Sequence, residues 1–577
     1  MQRKNLAIII LVILIITSGY GSIILGMPYS VIKSFASKNV LKIACSSANS
    51  PAVLDPVDSW PDVSNDIIRH VCDTLLAYDL TDPALPLEMR LATSYSWNIG
   101  MDELTISLKD DVWFHDGAKF NATAVKFTFD RIMYFINSSG DLPGNTHVCD
   151  PASLFYDMHG DSILNRTEVI DEYTVKFVLN KPNGIFLSLL SYEACSILHP
   201  NTVDATEYLI LGEDILVGTG PFKYIHLIVG DELKFERWDL YWGSNVFWDE
   251  IVWEYFHDST TTNNALLDNK ADYLYGPLNS YITSFQAEED IVVVEMNTSN
   301  VLRFWAINNE RLNDTRIRKA MSYAYNYSRF IDQTRQGHAV KAEQLLPPGF
   351  PYYNASFKAP YYNTTIAREI MMKVFPNKTA GLTVQAYGEN DTNDAAWSAL
   401  RLAEYYVLEH VGWIVGIEMN FALASDMEKV GIEIYPYDPN PWGDPNILIY
   451  DWDKIYRSVD IWYADFAPDY LEPFNILEPL LGNISKSRSL YYIHNNDYLL
   501  QKWLNQYEDT NPINTTRRTE LIYKIQQRTL NELYVFLPLS FDKTYYVHHR
   551  SVGDISYNIM NNLWLTDSYY IPGIPTI

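Results

Sequence analysis

Leu104-Thr-Ile-Ser-Leu-Lys109 alternates apolar and polar side chains, and Val112-Trp-Phe-His-Asp-Gly-Ala-Lys-Phe120 follows it, leading into Asn121 to Met133. Period-two alternation puts Leu104, Ile106 and Leu108 on one face of a strand. Val112 to His115 reads as its continuation, and Asp116-Gly117 as the turn that ends it. Asn121 then caps a helix whose Val125, Phe129 and Ile132 share one face.

The same alternation of strand and helix runs outward in both directions. Towards the N-terminus, Val40-Leu-Lys-Ile-Ala-Cys45 reads as a strand and Ser64 to Leu76 as a helix. Towards the C-terminus, Thr174 to Leu179, Leu233 to Arg237 and Glu250 to Tyr255 read as strands, and Thr261 to Asn269 as a short helix. Phe304 to Asn308 starts a fresh strand, and Asp314 sits at the positive end of the helix after it. Ala395 to Val411 reads as a further helix, Gly431 to Tyr435 as a strand, Leu521 to Leu533 as a helix and Val535 to Leu539 as a returning strand. Mixed order of this kind predicts an α/β architecture.

The chain has 577 residues with 43 basic and 71 acidic side chains, so its formal charge is 43 − 71 = −28. Such a surface repels phosphates, which excludes nucleic acid as a partner. Hydrophobic residues make up 47%, enough for a large core. The 42 Tyr and 15 Trp also suit a cleft that holds sugars or peptides.

Arg3 and Lys4 precede an apolar stretch from Leu6 to Leu25, 20 residues or about 30 Å as a helix. Residues 1–39 are therefore a signal peptide or an uncleaved anchor, with everything after them outside. Twelve Asn-x-Ser/Thr triplets, against roughly five expected at random, agree with an external, glycosylated chain. Asn121, Asn137, Asn354 and Asn363 are among the candidates. Of the four cysteines, Cys149 and Cys195 are the expected disulfide pair, with buried free thiols as the alternative.

Six runs occur in an order that resembles the family 5 solute-binding proteins of ABC importers, the oligopeptide and dipeptide-binding group. They are Leu54-Asp55-Pro56, Val112 to Phe120, Gly218-Thr-Gly-Pro-Phe222, Glu236-Arg with Tyr241-Trp-Gly243, Asp314 to Ala320, and Asp469-Tyr-Leu-Glu-Pro473. The resemblance implies a bilobal periplasmic-binding-protein-like (type II) fold with an extra subdomain in the first lobe. Lobe one would take 40–75, 205–300 and 540–577, the extra subdomain 76–204, and lobe two 301–539. The chain departs from the family at Ala124, at Trp238 and at Asn326-Tyr327.

In peptide-binding relatives, an Asp in a Trp-x-Ala-Asp-Tyr-x-Asp/Glu-Pro turn holds the ligand's ammonium group. That pattern splits here between Asp465, which follows Trp462-Tyr-Ala, and Asp469, which precedes Tyr-Leu-Glu-Pro. Ser50, Ala52 and Val53 in lobe one, and Phe466 and Ala467 in lobe two, resemble the segments whose main chains pair with bound peptide. His115 beside Asp116 reads as structural rather than as a metal ligand, and no catalytic or cofactor motif is present.

The resemblance thus implies a non-enzymatic, monomeric receptor that captures oligopeptides and delivers them to ABC permease subunits, without a cofactor. Oligosaccharide capture, as in some archaeal members of the family, is the rival within the class. A secreted hydrolase is the rival outside it.

Overall fold

The computed structural model describes residues 38–571 apart from 60–61, 83–84, 139–153, 245, 297, 385–391, 409–413, 438–458, 483–495, 512–513, 557, 559 and 561–562. Val40–Ser46 lies within a seven-stranded sheet, parallel to Glu250–Phe256 on one side and to Tyr273–Leu274 on the other. Leu41, Ile43 and Cys45 face a core shared with Ile67, Ile68 and Val71 of helix Asp62–Val71. Ala44 faces a second core, with Ala265 and Leu266 of helix Ser259–Leu267. Covered on both faces, this strand reads as a continuous apolar run.

A six-stranded sheet forms the other large unit, in the order Ala339–Lys341, Phe536–Asp542, Leu302–Ile307, Ile461–Phe466, Ala403–Leu408, Ile432–Tyr437. The chain leaves the first sheet after Met296 and enters the second at Leu302. It returns between Asp542 and Thr544, with Lys543 alone between the two strands. A separate four-stranded sheet holds Ala92–Trp97, Glu103–Leu108, Thr174–Leu179 and Leu164–Asp171, with helix Ala122–Ser138 against it.

Several of the runs that carry the resemblance turn out to be packing devices. Asp55 caps the turn after it and is fully enclosed with Arg131, whose Nη1 donates to its Oδ1 at 2.8 Å. Gly218 and Gly220 lie against the end of helix Asp62–Val71, where a Cβ on Gly218 would fall 2.2 Å from the Val71 carbonyl oxygen. Thr219 Oγ1 and Trp242 Nε1 both donate to Asp73 Oδ2 at 2.9 Å, and Arg90 Nε to Asp73 Oδ1 at 2.8 Å. These bonds end the helix at Val71, short of the expected Leu76. Glu472 pairs with Arg518 at 2.8 Å inside the second lobe.

Two further elements depart from the expected reading. Val112 to His115 is a loop, because Phe114 N donates to Ala118 O and His115 N donates to Gly218 O. Its Val112 and Phe114 are buried from a turn rather than from a strand. Within the expected helix 395–411, helix Thr392–Ser398 stops early, Arg401 takes φ +43°, and Ala403–Leu408 runs parallel to Ile432–Tyr437. A residue in the left-handed region breaks the helix, and Leu402 N is captured by Gly431 O at 2.7 Å.

The loop around Gly184 ties the small sheet's unit to the second lobe. Gly184 N donates to Glu508 O at 2.7 Å, and Arg518 Nη1 donates to Gly184 O at 3.1 Å. Glu508, fully buried, accepts Met158 N through Oε2 and Asn183 Nδ2 through Oε1. One core consequently joins Phe129, Phe177 and Leu189 to Phe304, Trp462 and Leu504.

Cys45, Cys72 and Cys195 are buried free thiols. Cys195, expected to bond to Cys149, instead lies with Sγ 3.3 Å from the Leu189 carbonyl oxygen. Cys149 falls outside the described residues.

Candidate ligand cleft

Beside the two crossings between the large sheets lies a cleft of about 590 Å³. Ala48 to Ser50 and Ala52 form one wall as the chain runs off the end of strand Val40–Ser46. Ser299 to Val301 and Asp542 to Tyr545, the crossings themselves, form another. Gly276 at φ +68° closes the floor, where a Cβ would come within 3.2 Å of Asn49 Nδ2. Ser50 Oγ is buried with no hydrogen-bond partner, an unused donor and acceptor at the cleft.

Charge is concentrated where the second lobe meets the crossings. Asp542 Oδ2 accepts from Arg303 Nε at 2.8 Å and Arg335 Nη2 at 2.6 Å, while its Oδ1 is buried without a partner. Arg303 Nη1 then reaches Asp465 Oδ2 at 2.7 Å and Tyr463 OH at 3.0 Å. Burial works against the Arg303 charge, but Tyr463, Asp542 and Asp465 outweigh it and hold the guanidinium above its usual range. A chain of alternating charge therefore leads from the cleft wall to Asp465, whose side chain is 48% exposed.

A second relay crosses between the sheets. His338 Nδ1 lies 2.6 Å from Tyr545 OH, which donates to Glu295 Oε2 at 3.2 Å, and Lys543 Nζ pairs with Glu295 Oε1 at 2.8 Å. Burial pushes Tyr545 up to about 12, with Glu295 adding to it. The bond to Lys543 holds Glu295 below the usual carboxylate range.

Ser50 and Ala52 line the cleft, and Val53 is half-buried next to them. Phe466 pairs in register with Leu302, and its ring is almost enclosed. Ala467 follows it, half-buried. Asp469 stands apart from the charge chain: its Oδ2 accepts from Asn475 Nδ2 at 3.0 Å and its N–H donates to Asn475 Oδ1. His115 is used up by structure, with Nε2 bonded to Gly220 O at 2.9 Å and Nδ1 accepting Gly218 N–H. Among the described residues no cluster of His, Cys, Asp and Glu is arranged to hold a metal ion.

Arg303, Asp542 and Tyr545 went unread in the sequence. A charged residue at the second position of the apolar strand Leu302–Ile307 was the one available signal for Arg303. Asn121, Asn354 and Asn363 use their Oδ1 atoms to cap Thr123 N, Ser356 N and Ile366 N. Asn137 lies in the last turn of helix Ala122–Ser138.

The model of the bacterial extracellular solute-binding proteins, family 5 (middle region), matches residues 87–487. The chain belongs to this family. Its members are extracellular solute-binding proteins. The glutathione-binding protein GsiB of Escherichia coli (strain K12) is 25% identical over 366 residues, covering 62% of this chain and 66% of that protein. The dipeptide-binding protein of the same strain is 26% identical over 298 residues, covering 50% of this chain and 54% of that one. The chain thus spans just under two thirds and about half of these relatives.

Among solved structures, DppA from Helicobacter pylori in complex with the peptide STSA matches with a TM-score of 0.70 at 19% identity. The match covers 94% of this chain and 99% of that one. The dipeptide-binding protein from Pseudoalteromonas sp. SM9913 in complex with Met-Leu matches at 0.68 and 19% identity, covering 92% and 100%. These likenesses establish the expected bilobal α/β fold of a family 5 solute-binding protein.

Proposed function

We propose that this protein captures oligopeptides between its two lobes, outside the cell, and delivers them to an ABC permease. The observation that carries the reading is the cleft at the crossings, with main chain on one wall and Asp542 on the other, from which Arg303 leads on to Asp465. The main chain at Ser50, which is extended, and at Ala52, Val53, Phe466 and Ala467 suits pairing with peptides of varied sequence. Asp465, rather than Asp469, receives the ligand's ammonium group, because half of its side chain stays open while Arg303 holds it in place. The names of the relatives, which bind glutathione and dipeptides, support the ligand class.

The apolar stretch Leu6 to Leu25 holds the protein at the outer face of the membrane as a monomer, with glycans at Asn121, Asn137, Asn354 and Asn363 among the sequons. The expected lobe boundaries, 40–75, 205–300 and 540–577 against 301–539, with 76–204 as the extra subdomain, belong to the same proposal. Native mass spectrometry of the freshly purified protein tests the function. A retained mass that fragments as a peptide, displaced by added peptide, is the expected result. Retained hexose oligomers, with thermal stabilisation by cello-oligosaccharides and none by peptides, would overturn it.

A further inference from the structure

We infer that the free edge of the seven-stranded sheet is a lipid-facing surface on which the tethered protein rests against its own bilayer. The inference depends on the membrane anchoring proposed above. Phe222–Ile228 is the last strand of that sheet. Ile225, Ile228 and Val229 project from it and its turn into solvent, Val229 at 64%. The loop carrying exposed Ile210 and Ile215 lies alongside, with the Cβ position of Gly212 3.9 Å from the Leu227 carbonyl oxygen. Leu240, 58% exposed, lies in the turn after Trp238, whose N–H donates to Pro221 O just before the edge strand begins. Leu216 and Leu227 from the same segments are buried, so the exposed aliphatics are not a core left uncovered.

The tether is long enough to let this edge reach lipid. The first described residue, Lys38, ion-pairs with Glu236 and Glu250 of the two strands next to the edge. Between Leu25 and Lys38 there are 12 residues (26 to 37), a reach of about 40 Å when extended. The edge strand is itself about 23 Å long, so the whole row lies within that reach. Attraction between charges does not supply the contact, since the chain carries a net charge of −28; aliphatic side chains do.

The sequons favour the same face. All twelve Asn-x-Ser/Thr triplets lie outside 38–75, 205–296 and 543–577, the segments that build the seven-stranded sheet and its surroundings. Asn121, Asn137 and Asn165 fall in the small sheet's unit, eight others between 301 and 539, and Asn297 follows Met296, the end of the strand at the opposite edge of the sheet, so no sequon lies on the Phe222–Ile228 side of the tethered lobe. Another strand is a poor occupant for this edge, because the ladder to Glu232–Arg237 shifts register between Tyr224 and His226. A bulge of that kind blunts an edge against pairing.

The test uses the full chain in phosphatidylcholine vesicles that contain nitroxide-labelled lipid. A fluorophore is attached at Val229→Cys, at Ile228→Cys as a second position, and at Phe421→Cys on the second lobe as reference, each in a Cys149→Ser background. Flotation with the vesicles is measured on the same samples. Severalfold stronger quenching at 228 and 229 than at 421 is expected. A protein that floats but is quenched equally at all three positions overturns the lipid contact and leaves the anchoring standing. Quenching that appears only when a permease is added assigns the surface to that protein instead, and overturns the inference. Failure to float overturns the anchoring and the contact together.

Discussion

Arg303 and Asp465 stand opposite one another in register on antiparallel strands, with Nη1 and Oδ2 2.7 Å apart. The same guanidinium holds Asp542 at the cleft, so it neutralises two carboxylates at once. Arg303→Ala is expected to cost on the order of 2 kcal/mol in urea unfolding, between the values for exposed and fully buried pairs. Arg303→Lys should recover little of it, because a single ammonium cannot span both partners as a planar fork does. An unchanged midpoint in Arg303→Ala would contradict this.

The two candidate aspartates should separate cleanly. Asp465→Ala is expected to remove a charge-assisted bond to the ligand's ammonium, about 1.5 to 3 kcal/mol or roughly 10- to 150-fold in Kd. Asp469→Ala loses the bond with Asn475, which lowers stability by about 1 kcal/mol and leaves peptide affinity as it was. Titration calorimetry on both variants decides it; an affinity loss in Asp469→Ala alone would reverse the assignment.

Burial pulls His70 and His115 down to about 4. Each ring is neutral and fully used: His70 Nδ1 donates to Asp66 O and Nε2 accepts Leu565 N–H, while His115 bridges Gly218 and Gly220. Protonation would aim a second N–H at a backbone N–H. The unfolded chain takes up these protons near the ordinary imidazole value of 6.5, so between 6.5 and about 4 it binds more of them than the folded chain. Stability therefore falls as pH drops through that window, by about 1.4 kcal/mol per pH unit for each ring. His115→Gln should flatten the slope of stability against pH; an equal slope in the variant refutes the account.

Gly184 controls docking of the small sheet's unit on the second lobe. A Cβ there would fall 2.1 Å from Thr510 O and 2.5 Å from Arg518 Nη1. Gly184→Ala is expected to enlarge the radius of gyration in X-ray scattering and to weaken ligand binding by the fraction of closed protein lost. A variant that scatters like the parent would show that the contact yields without cost.

Much of this architecture was legible because its signals are local. Alternation at Leu104 to Leu108 and the Asp314 cap each declare a strand or helix within a few residues, and both form as read. The glycines of the Gly218-Thr-Gly run were recognised, but their reason, contact with Val71 and Cys72, lies about 150 positions away. Val112 to His115 misled because buried side chains alternate in this loop as they would in a strand. The cleft was half visible: Ser50 and Ala52 line it, whereas Arg303 and Asp542 acquire meaning only when strands 160 or more positions apart in sequence become neighbours.

Lys543 alone separates Asp542 in one large sheet from Thr544 in the other. One residue supplies only two soft torsions, and both flanking strands are stitched to neighbours on either side. The lobes can pivot about that point but have no slack to drift apart there. Opening therefore has to part contacts such as those of Gly184 with Glu508 and Arg518 while the strands on either side of Lys543 stay joined.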